Sequence, residues 1–331
     1  MRTERAAQRS LHGLVLLLGM MLAAAGCGGG GGGSGGGSTP PPSGNAGLPA
    51  FTGVWVIIME NEGRTSLLDD PAAVHFRDLV STYATAANYS ATKHPSLPNY
   101  IDMTCACDHN HTFFDIQDNP AEDLIQGTPN KLFTDPNLGG ELEAAGVAWR
   151  AYGQDSTAGS QLTDCFPGNT GEYVARHMPF VYFQDIYGTG TEPSPVCLNR
   201  VHTFGDFRAQ TGDFYTDLGA RANDYYWITP DKIFDMHDGT IADADEFLGS
   251  VVPAIQATQQ WKDGGVIFIT YDEGDLGNEV LFIAVSPLGK PGYQSPNAFT
   301  HFNFLGTIQD IYGLERTGQS VDAPNMADLF Q

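Results

Sequence analysis

Val54-Trp55-Val56-Ile57-Ile58-Met59 is an unbroken apolar run of six residues, and it stops abruptly at Glu60-Asn61. A strand with one face in water alternates apolar and polar side chains, whereas a strand that is apolar throughout must be covered on both faces. That reading asks for a sheet held between layers of helix, and the segments around it agree. Ala84 to Ser90, Val147 to Tyr152, Tyr225 to Thr229, Val266 to Tyr271 and Val280 to Val285 have the pattern of further strands. Pro71 to Thr82, Leu138 to Ala145, Ala244 to Trp261 and Phe302 to Tyr312 have that of helices. Strands and helices in alternation predict an α/β protein, a three-layer α/β/α sandwich with a largely parallel central sheet.

In such sheets the residues that do chemistry gather beyond the carboxyl ends of strands. The first strand leads into Glu60-Asn61 and the Tyr225 strand into Asp231 and Asp235-Met236-His237-Asp238. The Val266 strand ends in Asp272-Glu273-Gly274-Asp275, and Thr300-His301 precedes the closing helix. A single acidic residue after a strand commonly caps a helix or forms a turn. Several sharing one edge would repel each other unless cations lay between them, so a divalent metal bound by oxygen and imidazole is expected.

The loop Ala91-Thr92-Lys93-His94-Pro95-Ser96-Leu97-Pro98-Asn99-Tyr100 follows the Ala84 strand and should open a helix, because Pro98 suits a first turn. A serine placed there either caps the helix or offers its hydroxyl to an anion held by unpaired backbone N–H groups. The carboxylates and histidines downstream favour a nucleophile at Ser96.

Upstream, Arg2, Arg5 and Arg9 precede an apolar run from Leu14 to Leu22 and the small residues Ala23-Ala24-Ala25-Gly26 before Cys27. The run is too short to cross a bilayer comfortably, so a secretory signal peptide is expected over residues 1–26. Small residues before Cys27 resemble the lipobox of bacterial lipoproteins, which implies lipid attachment at Cys27 and a chain anchored to a membrane outside the cytoplasm. Residues 28–48, rich in Gly, Ser and Pro, would be a flexible tether. The body, 49–331, shows no second linker or repeat and is expected to be one domain. The formal net charge is −23, and removing the three arginines and one glutamate of residues 1–26 takes it to −25. Such a chain repels nucleic acid and anionic lipid, so a phosphate-handling site in it needs local cations.

Six stretches now carry a resemblance: Val56-Ile57-Ile58-Met59-Glu60-Asn61, His94-Pro95-Ser96-Leu97-Pro98-Asn99-Tyr100, Arg176-His177-Met178-Pro179-Phe180, Ile228-Thr229-Pro230, Asp235-Met236-His237-Asp238-Gly239 and Thr270-Tyr271-Asp272-Glu273-Gly274. In this order they resemble the motifs of the bacterial phosphoesterase family containing acid phosphatases and phospholipases C, within the alkaline phosphatase superfamily. The resemblance implies a metal-dependent hydrolase of phosphate esters with a phosphoserine intermediate on Ser96. It implies that Glu60, Asn61, Asp272 and Glu273 hold one metal. Asp235, His237 and His301 would form a second cluster that binds another metal or supplies acid–base groups, with Asp238 orienting His237. His94, Asn99 and His177 would face the substrate phosphate. One or two divalent ions follow, whether zinc, calcium, magnesium or manganese. The substrate would be a small phosphate monoester, acid phosphatase fashion, or a phospholipid headgroup in a phospholipase C-type diester; a catalytically silent binding lipoprotein is the reading from another class.

There are two departures from the resemblance. Where relatives tend to continue into Thr-Ser-Gly, this chain has Thr104-Cys105-Ala106-Cys107 followed by Asp108-His109-Asn110-His111. Cys105, Cys107, His109 and His111 would fit a zinc site, though disulfides suit an exported chain better. Cys165 with Cys197, bracketing the insertion that carries His177, is the favoured pair, which leaves Cys105 and Cys107 as a local bridge or as free thiols. The second departure is Gly153-Gln154-Asp155-Ser156, where relatives often have Glu before Ser.

Overall fold

The computed structural model describes residues 47–107, 132–274 and 277–331. The leader, Cys27, nearly all of the tether, His109, His111 and Asp275 lie outside the described residues.

Eight strands form one sheet: β1 (Val54–Met59), β2 (Ala84–Ser90), β3 (Trp149–Gly153), β4 (Val201–Thr203), β5 (Tyr225–Thr229), β6 (Val266–Tyr271), β7 (Phe282–Val285) and β8 (Gln294–Thr300). Their order across the sheet is β4-β3-β5-β1-β6-β7-β2-β8. Only β7 runs against the rest, pairing antiparallel with β6 and β2. The sheet is therefore largely parallel, and β1 sits near its middle with Val54 opposite both Tyr225 and Val266. Every residue of β1, β5, β6 and β7 is buried, as strands covered on both faces require.

The covering helices are α1 (Arg64–Asp69), α2 (Val74–Thr82), α3 (Ser96–Asp102), α4 (Leu138–Ala145), α5 (Gln184–Tyr187), α6 (Pro195–Arg200), α7 (Asp213–Ala220), α8 (Ile241–Ala257), α9 (Gln259–Lys262) and α10 (His301–Tyr312). α2 packs on α8, and α10 packs on α3 and α4. The amphipathic stretch expected as one helix from Ala244 to Trp261 is two. Thr258 leaves helical geometry at ψ 150°, and its hydroxyl caps the next turn by accepting from the Trp261 N–H at 3.1 Å. β4 and β8 were not expected. β8 is polar, contains Pro296 and exposes most of its residues, as an edge strand does.

Cys165 is bonded to Cys197, and Cys105 to Cys107. The second bond consumes both thiols that a zinc site at Cys105, Cys107, His109 and His111 would need, so that site does not form.

Candidate active site

Three parallel strands, β1, β5 and β6, end side by side and deliver their first polar residues to one edge. Glu60 follows β1, and its backbone N–H donates to the Asp235 carbonyl at 2.7 Å. Asn61 has a left-handed φ of 57°, which turns the chain so that its N–H donates to Asp272 Oδ1 at 3.3 Å. Asp235, in the turn after β5, is followed by Met236 at φ 87°, and the His237 N–H donates back to Asp235 Oδ1 at 2.7 Å. A left-handed methionine costs conformational energy, which is consistent with a turn held by the carboxylate it re-aims.

Ser96 is the first residue of α3, and Pro95, which cannot cap by its side chain, takes the N-cap position. The serine is free of capping duty. Its Oγ donates to Glu60 Oε2 at 2.9 Å, inside the protein. On the other side of Glu60, His177 Nε2 lies 3.0 Å from Oε1, while His177 Nδ1 lies 3.0 Å from Asp235 Oδ2. Glu60, His177 and Asp235 thus each offer a ligand atom within 4.8 Å of one another. The Tyr100 ring stacks on the His177 imidazole at 5.4 Å with planes 6° apart and fixes its tilt.

These groups suit a cation. A proton on His177 Nδ1 bonds it to Asp235, which leaves the Nε2 lone pair facing a carboxylate oxygen. Among the described residues, neither Nε2 nor Glu60 Oε1 has a hydrogen-bond partner, and nor does Asp272 Oδ2. Buried acceptors left facing each other are costly, and a divalent ion shared by His177 Nε2 and Glu60 Oε1 would satisfy both. Burial, with the charge of Asp235 second, pushes the Glu60 carboxyl well up. Burial and then the Glu60 charge push Asp272 up, and burial also raises Asp235. Burial lowers His177 well below its ordinary value, so its imidazole is neutral and able to ligate.

The remaining candidates occupy a ring around this centre. Glu273 Oε2 is held by His94 Nδ1 at 2.8 Å and approached by Asn99 Nδ2 at 3.4 Å. Asn99 is buried and spends its side chain on the loop before Ser96, accepting from the Lys93 N–H at 2.9 Å and donating to the Lys93 carbonyl at 2.9 Å. His301 is buried with both nitrogens engaged, Nδ1 with the Tyr89 hydroxyl at 2.9 Å and Nε2 with the Asp272 carbonyl at 2.7 Å. It braces the Asp272 turn, and burial lowers its pKa to about 4. His237 has both nitrogens engaged elsewhere: Nδ1 meets Asp238 Oδ1 at 2.7 Å, and Nε2 accepts from Arg176 at 2.9 Å. A cluster of Asp235, His237 and His301 is therefore not what the fold assembles. His177 takes the place beside Asp235, and the tandem Arg176-His177 in the sequence was the available signal. Gly153, Gln154, Asp155 and Ser156 line a separate polar cavity of about 330 Å³ at the ends of β3 and β4.

Residues 66–315 match the phosphoesterase family over most of the chain's length. The chain belongs to that family. As a phosphoesterase it is a hydrolase of phosphate esters. A phosphatidylinositol-3-phosphatase of Mycobacterium tuberculosis is 27% identical over 286 residues, 86% of this chain and 84% of that one. A phosphate-repressible acid phosphatase of Penicillium chrysogenum is 24% identical over 260 residues, 76% of this chain but 57% of the fungal enzyme, so the chain spans little more than half of that relative. Among solved structures, a protein in the alkaline phosphatase superfamily from Vibrio parahaemolyticus superposes with a TM-score of 0.55 at 9% identity, covering 86% of this chain and 71% of that one. At that identity the likeness speaks for the fold, which is the alkaline phosphatase-like sandwich expected.

Proposed function

We propose that this phosphoesterase is a metal-dependent phosphomonoesterase of the acid phosphatase type that works through a phosphoserine on Ser96. The observation that carries the reading is the 2.9 Å hydrogen bond from Ser96 Oγ to a buried carboxylate whose other oxygen faces an unpartnered imidazole nitrogen. Glu60 Oε2 receives the hydroxyl proton as Oγ attacks phosphorus, and the ester P–O bond opposite breaks, the departing alkoxide taking a proton from solvent water. Water then displaces Ser96 from phosphorus, and the proton returns to Oγ. Glu60, His177 and Asp235 would hold a divalent ion, Asp235 also orienting His177 through Nδ1, while the Asn61 and Glu273 N–H groups brace Asp272 beside them. Bound there, zinc, calcium, magnesium or manganese would acidify the hydroxyl and neutralise ester oxygens. His94, half exposed at the rim, faces the substrate side, and His301 acts through Asp272 as a positioning residue.

The likeness to a phosphatidylinositol phosphatase supports a monoester on a lipid headgroup as readily as a small soluble one. We further propose that residues 1–26 are a lipoprotein signal, that Cys27 is lipidated and that 28–48 tether the domain to a membrane on the outer side of the cytoplasmic boundary. Hydrolysis of a chromogenic phosphomonoester, with and without chelator and with Ser96→Ala, tests the catalytic reading. Turnover that chelation and Ser96→Ala abolish is the expected result, a loss of roughly 10³-fold or more. Faster turnover of a bis-ester or a phosphatidylcholine would favour the phospholipase C-type alternative, and no turnover with any metal the silent binder.

A further inference from the structure

Arg176 stands next to His177 in a single turn of 3-10 helix, Ala175–His177, half-buried at the mouth of the site. Its guanidinium has an unusual partner. Other basic side chains near the centre are engaged with carboxylates: Lys93 with Asp102 at 3.0 Å, Lys232 with Asp238 at 2.6 Å and Glu172 at 3.2 Å, and His94 with Glu273 at 2.8 Å. Elsewhere Arg150, Arg200, Arg208 and Arg316 each meet an aspartate or glutamate, whereas Arg77, Lys262 and Lys290 donate to backbone carbonyls. Among the described residues, Arg176 meets no carboxylate; its side chain donates to His237 Nε2 at 2.9 Å. A guanidinium only donates, so His237 carries its own proton on Nδ1, toward Asp238, and contributes no compensating charge to Arg176.

The Arg176 charge acts on the Asp235 carboxylate, yet among the described residues no carboxylate oxygen lies within ion-pair distance of its guanidinium. The His237 ring lies 5.6 Å from the His177 ring, so Arg176 is one imidazole away from the Glu60 and Ser96 centre. The planar fork of Arg, with only one contact used, matches two oxygens of a phosphate. A terminal phosphate is doubly charged and has three non-bridging oxygens, whereas a diester has one charge and two.

We propose that Arg176 is a specificity-determining residue whose guanidinium binds the doubly charged terminal phosphate of a monoester and so selects monoesters over diesters. The inference rests on the catalytic reading of Ser96 given above, but its test does not require turnover. Titration calorimetry of inorganic phosphate into the metal-loaded protein and into Arg176→Ala should show about a 10- to 100-fold loss of affinity. In the same variant the ratio of kcat/KM for a phosphomonoester over a bis-ester should fall about tenfold or more, and added guanidinium should restore part of it. Arg176→Lys, which keeps the charge without the fork, should lie between the two and guards against misfolding of the alanine variant, which unchanged melting temperature and metal content exclude directly. Unchanged phosphate affinity, or an equal loss on monoester and bis-ester, overturns the proposal and leaves Arg176 as a prop for His237. Failure of the Ser96 reading would appear separately, as turnover surviving Ser96→Ala.

Discussion

Two groups in this protein have the composition of a cation site, and their surroundings make them different objects. Glu60, His177 and Asp235 are buried to the last few percent, while Asp164, His202 and Asp213 sit at the edge of the sheet with both aspartate side chains over a third exposed. In the outer group His202 Nδ1 lies 3.1 Å from Asp213 and 3.6 Å from Asp164, and both carboxylates are open to solvent. Such a pair is worth about 0–1 kcal/mol and needs no ion. In the inner group water is excluded, acceptors face acceptors, and the carboxyls are pushed up by desolvation. The same residue types therefore make a solvated ion pair in one place and a receptor for positive charge in the other.

The largest effect expected from that contrast belongs to Glu60→Gln, which keeps the shape but removes the carboxylate. Turnover should drop at least about 100-fold and metal content, read by elemental analysis, should fall with it. Full metal retention in that variant would break the comparison.

Chelation should come next. Glu60, Asp235 and Asp272 have folded pKa values above their ordinary ones, so in the metal-free protein the folded state holds protons that the unfolded state gives up. Stability is then lost as pH rises from about the ordinary carboxylate range. The fall in melting temperature caused by chelator should thus be larger at pH 8 than at pH 5, and a pH-independent fall would count against a cation at these carboxylates.

His301 works in the opposite sense. Its pKa of about 4 keeps it neutral in the fold while the unfolded chain takes up a proton below its ordinary 6.5. Its contribution is whole above that ordinary value and is lost as pH falls through the interval down to about 4. His301→Phe, which removes the bonds to Tyr89 and Asp272, should lower stability at pH 7 by about 1–3 kcal/mol and flatten the acid-side slope, as urea melts across pH would read.

The smallest effect should be that of His202→Ala. Stability should change by about 1 kcal/mol or less, with metal content and turnover unaltered. A loss of bound metal there would show that the outer group also holds an ion.

Much of the fold could be read from the residues because buried strands are apolar throughout. β1, β2, β5, β6 and α4 span the residues expected of them, and the favoured Cys165–Cys197 pairing forms. The edge strands β4 and β8 could not be read, since a strand with one free side has no need of apolar periodicity. The break at Thr258 was hidden for another reason: a capping threonine inside an amphipathic run leaves the run's pattern intact.

For the site, the local chain order alone placed Glu60, Asp235 and Asp272 at the ends of their strands and Ser96 at the start of a helix, because strand ends and helix starts are written in nearby residues. It could not say which imidazole would stand between Glu60 and Asp235, since that pairing joins residues 117 and 58 positions apart and depends on how the segment behind the Cys165–Cys197 bond folds back. Packing settled that His177, clamped by Tyr100, takes the place, that both nitrogens of His301 are spent on Tyr89 and Asp272, and that Arg176 meets His237 and, among the described residues, no carboxylate at ion-pair distance. Contacts of that range are decided by which groups lose water together, and no short stretch of sequence records it.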